Sequence, residues 1–248
     1  MTKTPLPFLG TFVAGMLLSA SALASEGGGL LQSGTDLGDT ASLQRGAQLY
    51  MSYCSGCHSL KYMRYSRIAE DLGLSEDEVM ENLNLTGAKF GEQVQVAMPV
   101  DGAAKWFGKM PPDLSVIARV RGGDWIYTYL KSFYLDESRP LGWNNTLFPN
   151  ASMPNPLWEM QGLQHAVHGK KDPVSGETPV ERLEIAQPGT QDAARFDQTA
   201  RDITNFLEYV GEPSALKRQS LGVWVILFLA FFTFLAYLLK AEYWKDVH

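Results

Sequence analysis

The segment LGVWVILFLAFFTFLAYLL, from Leu221 to Leu239, runs for nineteen residues without a charge. As an α-helix it would span about 28 Å, close to the hydrocarbon thickness of a bilayer. A buried core helix would be shorter and carry polar punctuation, so the chain is expected to cross a membrane once, near its C-terminus. Trp224, Tyr237, Tyr243 and Trp244 stand where interfacial aromatics commonly sit. Lys217 and Arg218 before the span balance Lys240 and Lys245 after it, so positive charge does not orient it.

A second apolar run supplies the orientation. After Lys3, residues 8 to 23 form a short greasy segment that ends Ala22-Leu23-Ala24 before Ser25. That is the pattern of a secretory signal peptide cleaved after Ala24, and Gly10, Gly15 and the serines weaken the alternative of a retained anchor. The expected organisation is therefore a signal over 1–24, an exported domain over 25–216, a membrane helix over 217–240 and a cytoplasmic tail over 241–248. It places the chain in a bacterial inner membrane, in contact with lipid, with its main domain in the periplasm. Residues 25–216 hold 25 Asp and Glu against 16 Lys and Arg, a net charge near −9. Nucleic acid is excluded as a natural partner, whereas a basic protein would be drawn in by the complementary field.

Both cysteines of the chain lie in Cys54-Ser55-Gly56-Cys57-His58. Export permits a plain disulfide, and the spacing is also that of a thioredoxin-like dithiol. The histidine that follows completes the C-x-x-C-H pattern of c-type haem attachment, in which both sulfurs bond one edge of the porphyrin and the imidazole becomes the proximal ligand. A thioredoxin motif wants a strand before it. Here Leu43, Ala47, Tyr50, Met51 and Cys54 recur at the spacing of one helix face. A zinc site would need two further ligands, and His165 and His168 lie on a polar stretch far along the chain. Haem is the favoured reading, and a tethered dithiol oxidoreductase is its rival from a different class.

Electron carriers close the other side of the iron, commonly with methionine, whereas sensors leave it open. Met51 and Met63 are too near His58 to round the ring, and Met80 belongs to an acidic helix. Met98, Met110 and Met153 each precede a proline, which pushes them off regular helix and onto a loop; Met160 stands behind them in a short helix. The dipeptide cannot choose among the three. The turn chemistry of FPNASMPNPLW favours Met153, because a ligand loop must be stiff.

Taken together, CSGCHSLKYMRY, MPPDLSVIARVRGGDWIYTYL at 110–130, FPNASMPNPLWEMQG at 148–162 and NFLEYVGEP before the single span resemble the cytochrome c1 family. The resemblance covers nearly all of the mature chain. It implies a mainly α fold: a c-type cytochrome domain with long loop insertions and one C-terminal transmembrane helix. It further implies one covalent haem c held by Cys54, Cys57 and His58, with Met153 as the axial sulfur ligand. Arg121 would meet a haem propionate, and Pro112 and Leu114 would pack on the haem edge, while Arg119 is expected on a solvated face. The implied role is the haem subunit of the cytochrome bc1 complex, taking an electron from the Rieske iron-sulfur protein, beside a cytochrome b subunit, and passing it to soluble cytochrome c. The rival within this class is a free-standing tethered cytochrome that feeds an oxidase.

Between these anchors the chain reads as helices joined by loops. SEDEVMENL carries a capping box from Ser75 to Glu78, and the six acids between Glu70 and Glu81 read either as a docking surface or as a solvated helix face. Asp124 is expected to cap the helix WIYTYLKSF, which would bury Trp125, Tyr129 and Phe133. Residues 165–190 suggest a hairpin or loop excursion. Phe196, Ala200, Ile203, Leu207 and Val210 predict a helix ending at Gly211-Glu212-Pro213.

Overall fold

The computed structural model describes residues 29–170 and 178–246. The signal segment expected over 1–24, with its cleavage site, lies outside them. Asp39 starts helix α1 (Thr40–Tyr53), its carboxylate accepting from the Ser42 N–H at 3.0 Å. Leu43, Ala47, Tyr50, Met51 and Cys54 all face inward, as their spacing predicts. Strand β1 (Leu60–Arg64) then leads to α2 (Tyr65–Leu72) and α3 (Glu76–Asn82), and β2 (Gln93–Val94) pairs antiparallel with β1. The capping box at the start of α3 forms with both of its hydrogen bonds, Ser75 to the Glu78 N–H and Glu78 to the Ser75 N–H.

Next come α4 (Val100–Phe107), α5 (Ile117–Arg121) and α6 (Gly123–Lys131). Asp124 does not cap α6. The helix begins after Gly122, and the Asp124 carboxylate accepts instead from the Ser33 N–H at 2.7 Å and the Ser33 hydroxyl at 2.8 Å. It thereby ties the start of the domain to α6. The helix also stops earlier than its apolar spacing suggests, because Phe133 opens strand β3 (Phe133–Leu135).

Strand β4 (Trp143–Asn145), the single turn α7 (Trp158–Gln161), β5 (Gly162–His168) and β6 (Val180–Pro188) complete a four-stranded sheet of order β4-β3-β5-β6. Strands β5 and β6 form the hairpin expected over 165–190, and β3 meets β5 in parallel at Leu135 and His165. Gly162 has φ of 96° where α7 turns into β5, and a Cβ there would lie 2.6 Å from the Gly189 nitrogen.

Helix α8 (Ala193–Gly211) is the centre of the core. Phe196, Ala200, Ile203, Leu207 and Val210 are buried on one side, and other positions of α8 lie against α1, where Tyr50 meets Phe206 at 5.7 Å between ring centres. Burial of each such large apolar side chain is worth about 1.5–3 kcal/mol. Pro213 separates α8 from α9 (Ala215–Tyr243), a 29-residue helix of mean hydropathy 2.4 in its most apolar stretch. Its side chains beyond Ala215 are outward on every side, as in a helix that crosses a membrane. Glu212 joins the two segments, pairing with Arg119 at 3.3 Å and with Arg218. The fold is mainly α, as expected, with a single C-terminal membrane helix among the described residues.

Candidate haem site

Cys54 caps the C-terminal end of α1, its N–H bonded to the Tyr50 carbonyl at 2.8 Å. The chain then turns tightly: the N–H groups of Cys57 and His58 both donate to the Cys54 carbonyl, at 3.0 and 2.9 Å. The Tyr50 hydroxyl donates to the His58 carbonyl at 2.9 Å, fastening the motif to the core. Burial pushes the Cys54 thiol up to about 12, reinforced by Cys57, and burial raises Cys57 as well. A redox dithiol needs a lowered thiol pKa, commonly provided by a helix N-terminus. Cys54 sits at the opposite end of a helix, where the dipole disfavours a thiolate. The dithiol reading therefore loses its chemistry here.

The His58 ring is buried, and its Nδ1 lies 2.7 Å from the Pro112 carbonyl oxygen. A carbonyl only accepts, so Nδ1 carries the proton and Nε2 keeps its lone pair. Burial lowers the pKa of this imidazole against the opposing pull of the Pro112 bond and of Asp113, which favours the neutral ring that metal ligation requires. Pro112 is delivered by a pinned turn. Asp113 accepts from the Lys61 N–H at 2.8 Å and from the Ser115 N–H at 2.9 Å, and the Leu114 N–H donates to the Ser59 carbonyl at 3.0 Å. Strand β1, which follows the cysteine motif directly, is thus stitched to the Pro111-Pro112 segment.

Cys54, Cys57 and His58 line a cavity of about 330 Å³ together with Met153, Pro112, Leu114 and Arg121. The seven residues to which the family resemblance gave a haem role are thus all part of one wall. Of the methionines the Met-Pro dipeptides and the short helix offered, Met153 lines it and Met98, Met110 and Met160 do not. The remaining wall is mostly apolar, built by Phe107, Ile126, Leu130, Phe148, Ile203 and Leu207. The Arg121 guanidinium lies 5.0 Å from the Trp125 ring centre and 5.9 Å from that of Phe148, while Arg119 turns to Glu212.

The loop that carries Met153 is held by asparagines. Asn145 accepts from the N–H groups of Leu147 and Phe148 at 2.9 and 3.1 Å, and its amide donates to the Tyr129 carbonyl at 2.9 Å. Asn144 accepts from the Asn150 N–H at 2.8 Å, and Asn155 from the Leu157 N–H at 2.9 Å. Trp125 and Tyr129, read in the sequence only as a buried helix side, also line the cavity, stacked at 5.0 Å. Burial pushes the Tyr129 phenol up to about 12, so it remains a hydrogen-bond donor. Two thiols, a neutral imidazole and a thioether facing one apolar cavity form a donor set that suits a covalently attached haem with His and Met ligation.

The model of the cytochrome C1 family matches residues 33–247 of this chain. The chain is 51% identical over 235 residues to cytochrome c1 of Allochromatium vinosum, covering 94% of this chain and 96% of that protein. It is 44% identical over 213 residues, 86% of each chain, to a Nitrosomonas europaea protein named ammonia monooxygenase gamma subunit. Cytochrome c1 of Rhodospirillum rubrum is 30% identical over 276 residues, with 94% of this chain and 95% of that protein covered.

Proposed function

The chain belongs to the cytochrome c1 family, and from that membership we propose that it is the membrane-anchored haem subunit of a quinol:cytochrome c oxidoreductase. In this reading it stands between the Rieske iron-sulfur protein and a soluble cytochrome c, with a cytochrome b subunit beside its membrane helix. Bound in the cavity, haem c supplies a one-electron ferric/ferrous couple. Cys54 and Cys57 would form the thioether links, His58 and Met153 would ligate through Nε2 and Sδ, and Arg121 would meet a propionate. Pro112 and Leu114 would pack on the haem, and the Pro112 carbonyl fixes the His58 tautomer. The apolar wall excludes water, which keeps the site from reorganising between the two charge states. Quinol chemistry belongs to another subunit in this reading, since the span from Leu221 to Leu239 carries no Asp, Glu, His, Lys or Arg.

The gathering of Cys54, Cys57, His58 and Met153 at one cavity carries this reading. The domain faces the periplasm of a bacterial inner membrane, with residues 241–248 in the cytoplasm after removal of 1–24. The test is mild detergent extraction from cells competent for cytochrome maturation, followed by mass measurement and identification of every polypeptide and haem that travels with the chain. One haem of added mass is expected, together with b-type haem and the Rieske protein. A colourless chain of bare polypeptide mass overturns the haem assignment, and a coloured chain that travels alone points to the free-standing cytochrome.

A further inference from the structure

We propose that Tyr129 is a positioning residue for Met153, and that its hydroxyl raises the reduction potential of the centre by hydrogen bonding to the ligand sulfur. This rests on the reading of Met153 as the axial ligand. The Tyr129 Oη lies 3.6 Å from Met153 Sδ, and a thioether can only accept, so the hydroxyl directs the positive end of its dipole at the sulfur. Among the described residues this sulfur is the one hydrogen-bond partner of that hydroxyl.

The tyrosine is placed with little freedom. Its ring stacks on Trp125 at 5.0 Å with 10° between planes, and meets the edge of Phe133 at 4.9 Å. Its own carbonyl receives the Asn145 amide, and the same asparagine holds the N–H groups of Leu147 and Phe148 at the start of the Met153 loop. One residue therefore fixes the distance between helix α6 and the loop, and so between the hydroxyl and the sulfur. Methionine has three rotatable bonds and would otherwise be mobile. A positive dipole end beside the sulfur opposes the additional positive charge of the ferric state, and the apolar surroundings leave that effect poorly screened. The reduced state gains relative to the oxidised one.

The experiment is a redox titration of the haem-loaded full-length chain in its native membrane complex, with the sulfur-to-iron charge-transfer band recorded on each sample. Tyr129→Phe keeps the ring and removes only the hydroxyl. The expected result is a retained band and a lowered potential, a shift of up to about tenfold in the one-electron equilibrium, or about 59 mV. A retained band with an unmoved potential overturns the proposal. Tyr127→Phe removes a hydroxyl from the same helix on the side that faces Asp197, and should leave the potential unchanged. An equal shift in that variant would assign the effect to general disturbance of α6 and also overturn the proposal. Met153→Leu separates this idea from its parent: loss of the band is expected, and its persistence removes Met153 as the ligand and the role of Tyr129 with it.

Discussion

The imidazole Nδ1 of His58 donates to the carbonyl oxygen of Pro112 at 2.7 Å, joining residues 54 positions apart. The bond fixes both the tautomer and the plane of the ring, and it depends on where the proline turn is held. Asp113 holds it, by accepting the N–H groups of Lys61 and Ser115. Asp113→Ala should leave both N–H groups short of a partner. A cost of about 1 kcal/mol is expected, or roughly 2–4 °C in the thermal midpoint of the solubilised, haem-loaded chain. An unchanged midpoint would mean that the prolines alone define the turn.

Helices α1 and α8 cross closely at Gly46. A Cβ there would stand 2.8 Å from the Phe206 Cβ and from the Asp202 carbonyl carbon, and helix backbone cannot yield as a side chain can. Gly46→Ala should cost about 1–3 kcal/mol by forcing the helices apart. Gly91→Ala is the matched comparison, since a Cβ at Gly91 would meet nothing within 4 Å. Chemical denaturation of the two variants side by side decides the matter; equal midpoints would show that the crossing is looser than it looks.

The parts of this protein that were legible in its sequence are those specified by short-range pattern. The inward faces of α1 and α8, the capping box at Ser75 and the membrane helix each follow from residues a few positions apart. The strands β1 to β4 are only two to five residues long, too short for an alternation of period two to stand out. Asp124 has the residue type and position of an N-cap, but a tertiary partner 91 residues away takes its carboxylate. The turn chemistry of FPNASMPNPLW already favoured Met153 over Met98 and Met110, but the sequence does not show that this loop returns to the cavity that His58 lines. That return is made by bonds from Asn145 to Tyr129 and from Gln161 to the Lys131 carbonyl, contacts with no local signature.

Asp197 offers a pH test of the seam between α6 and α8. Its carboxylate pairs with Arg201 at 2.9 Å and also accepts from Lys131 and Tyr127. Burial alone would raise its pKa, but the bonds from Lys131 and Tyr127 and the two nearby cations outweigh that and hold it below the ordinary 3.8. A carboxyl with a depressed folded-state pKa contributes stability above its unfolded value and loses it as pH falls through the folded one. Asp197→Asn should therefore be less stable than the parent at neutral pH, by about 1–3 kcal/mol. The gap should close on acidification below about pH 4, as the parent's carboxyl takes up its proton. Urea midpoints of the two proteins across pH 3 to 7 would reveal the convergence, and a constant gap would assign the loss to packing instead.

The acidic turn of α3 can be tested as a docking surface only if the capping box is left alone. The Glu78 carboxylate accepts from both the N–H and the hydroxyl of Ser75 at 2.8 Å, and these bonds hold its pKa down, so Glu78 is committed to the helix start. Glu76, Asp77 and Glu81 are exposed and carry no such duty. Replacing those three with Gln, Asn and Gln should leave the helix intact while removing three negative charges from one surface. If a basic cytochrome c docks here, its bimolecular rate should fall at low ionic strength and depend less steeply on salt, since the steering field acts over about 10 Å at 0.1 M. Stopped-flow reduction at several salt concentrations measures both quantities. Rates and slopes that match those of the unmodified chain would leave α3 as a solvated helix and place the partner's contact elsewhere.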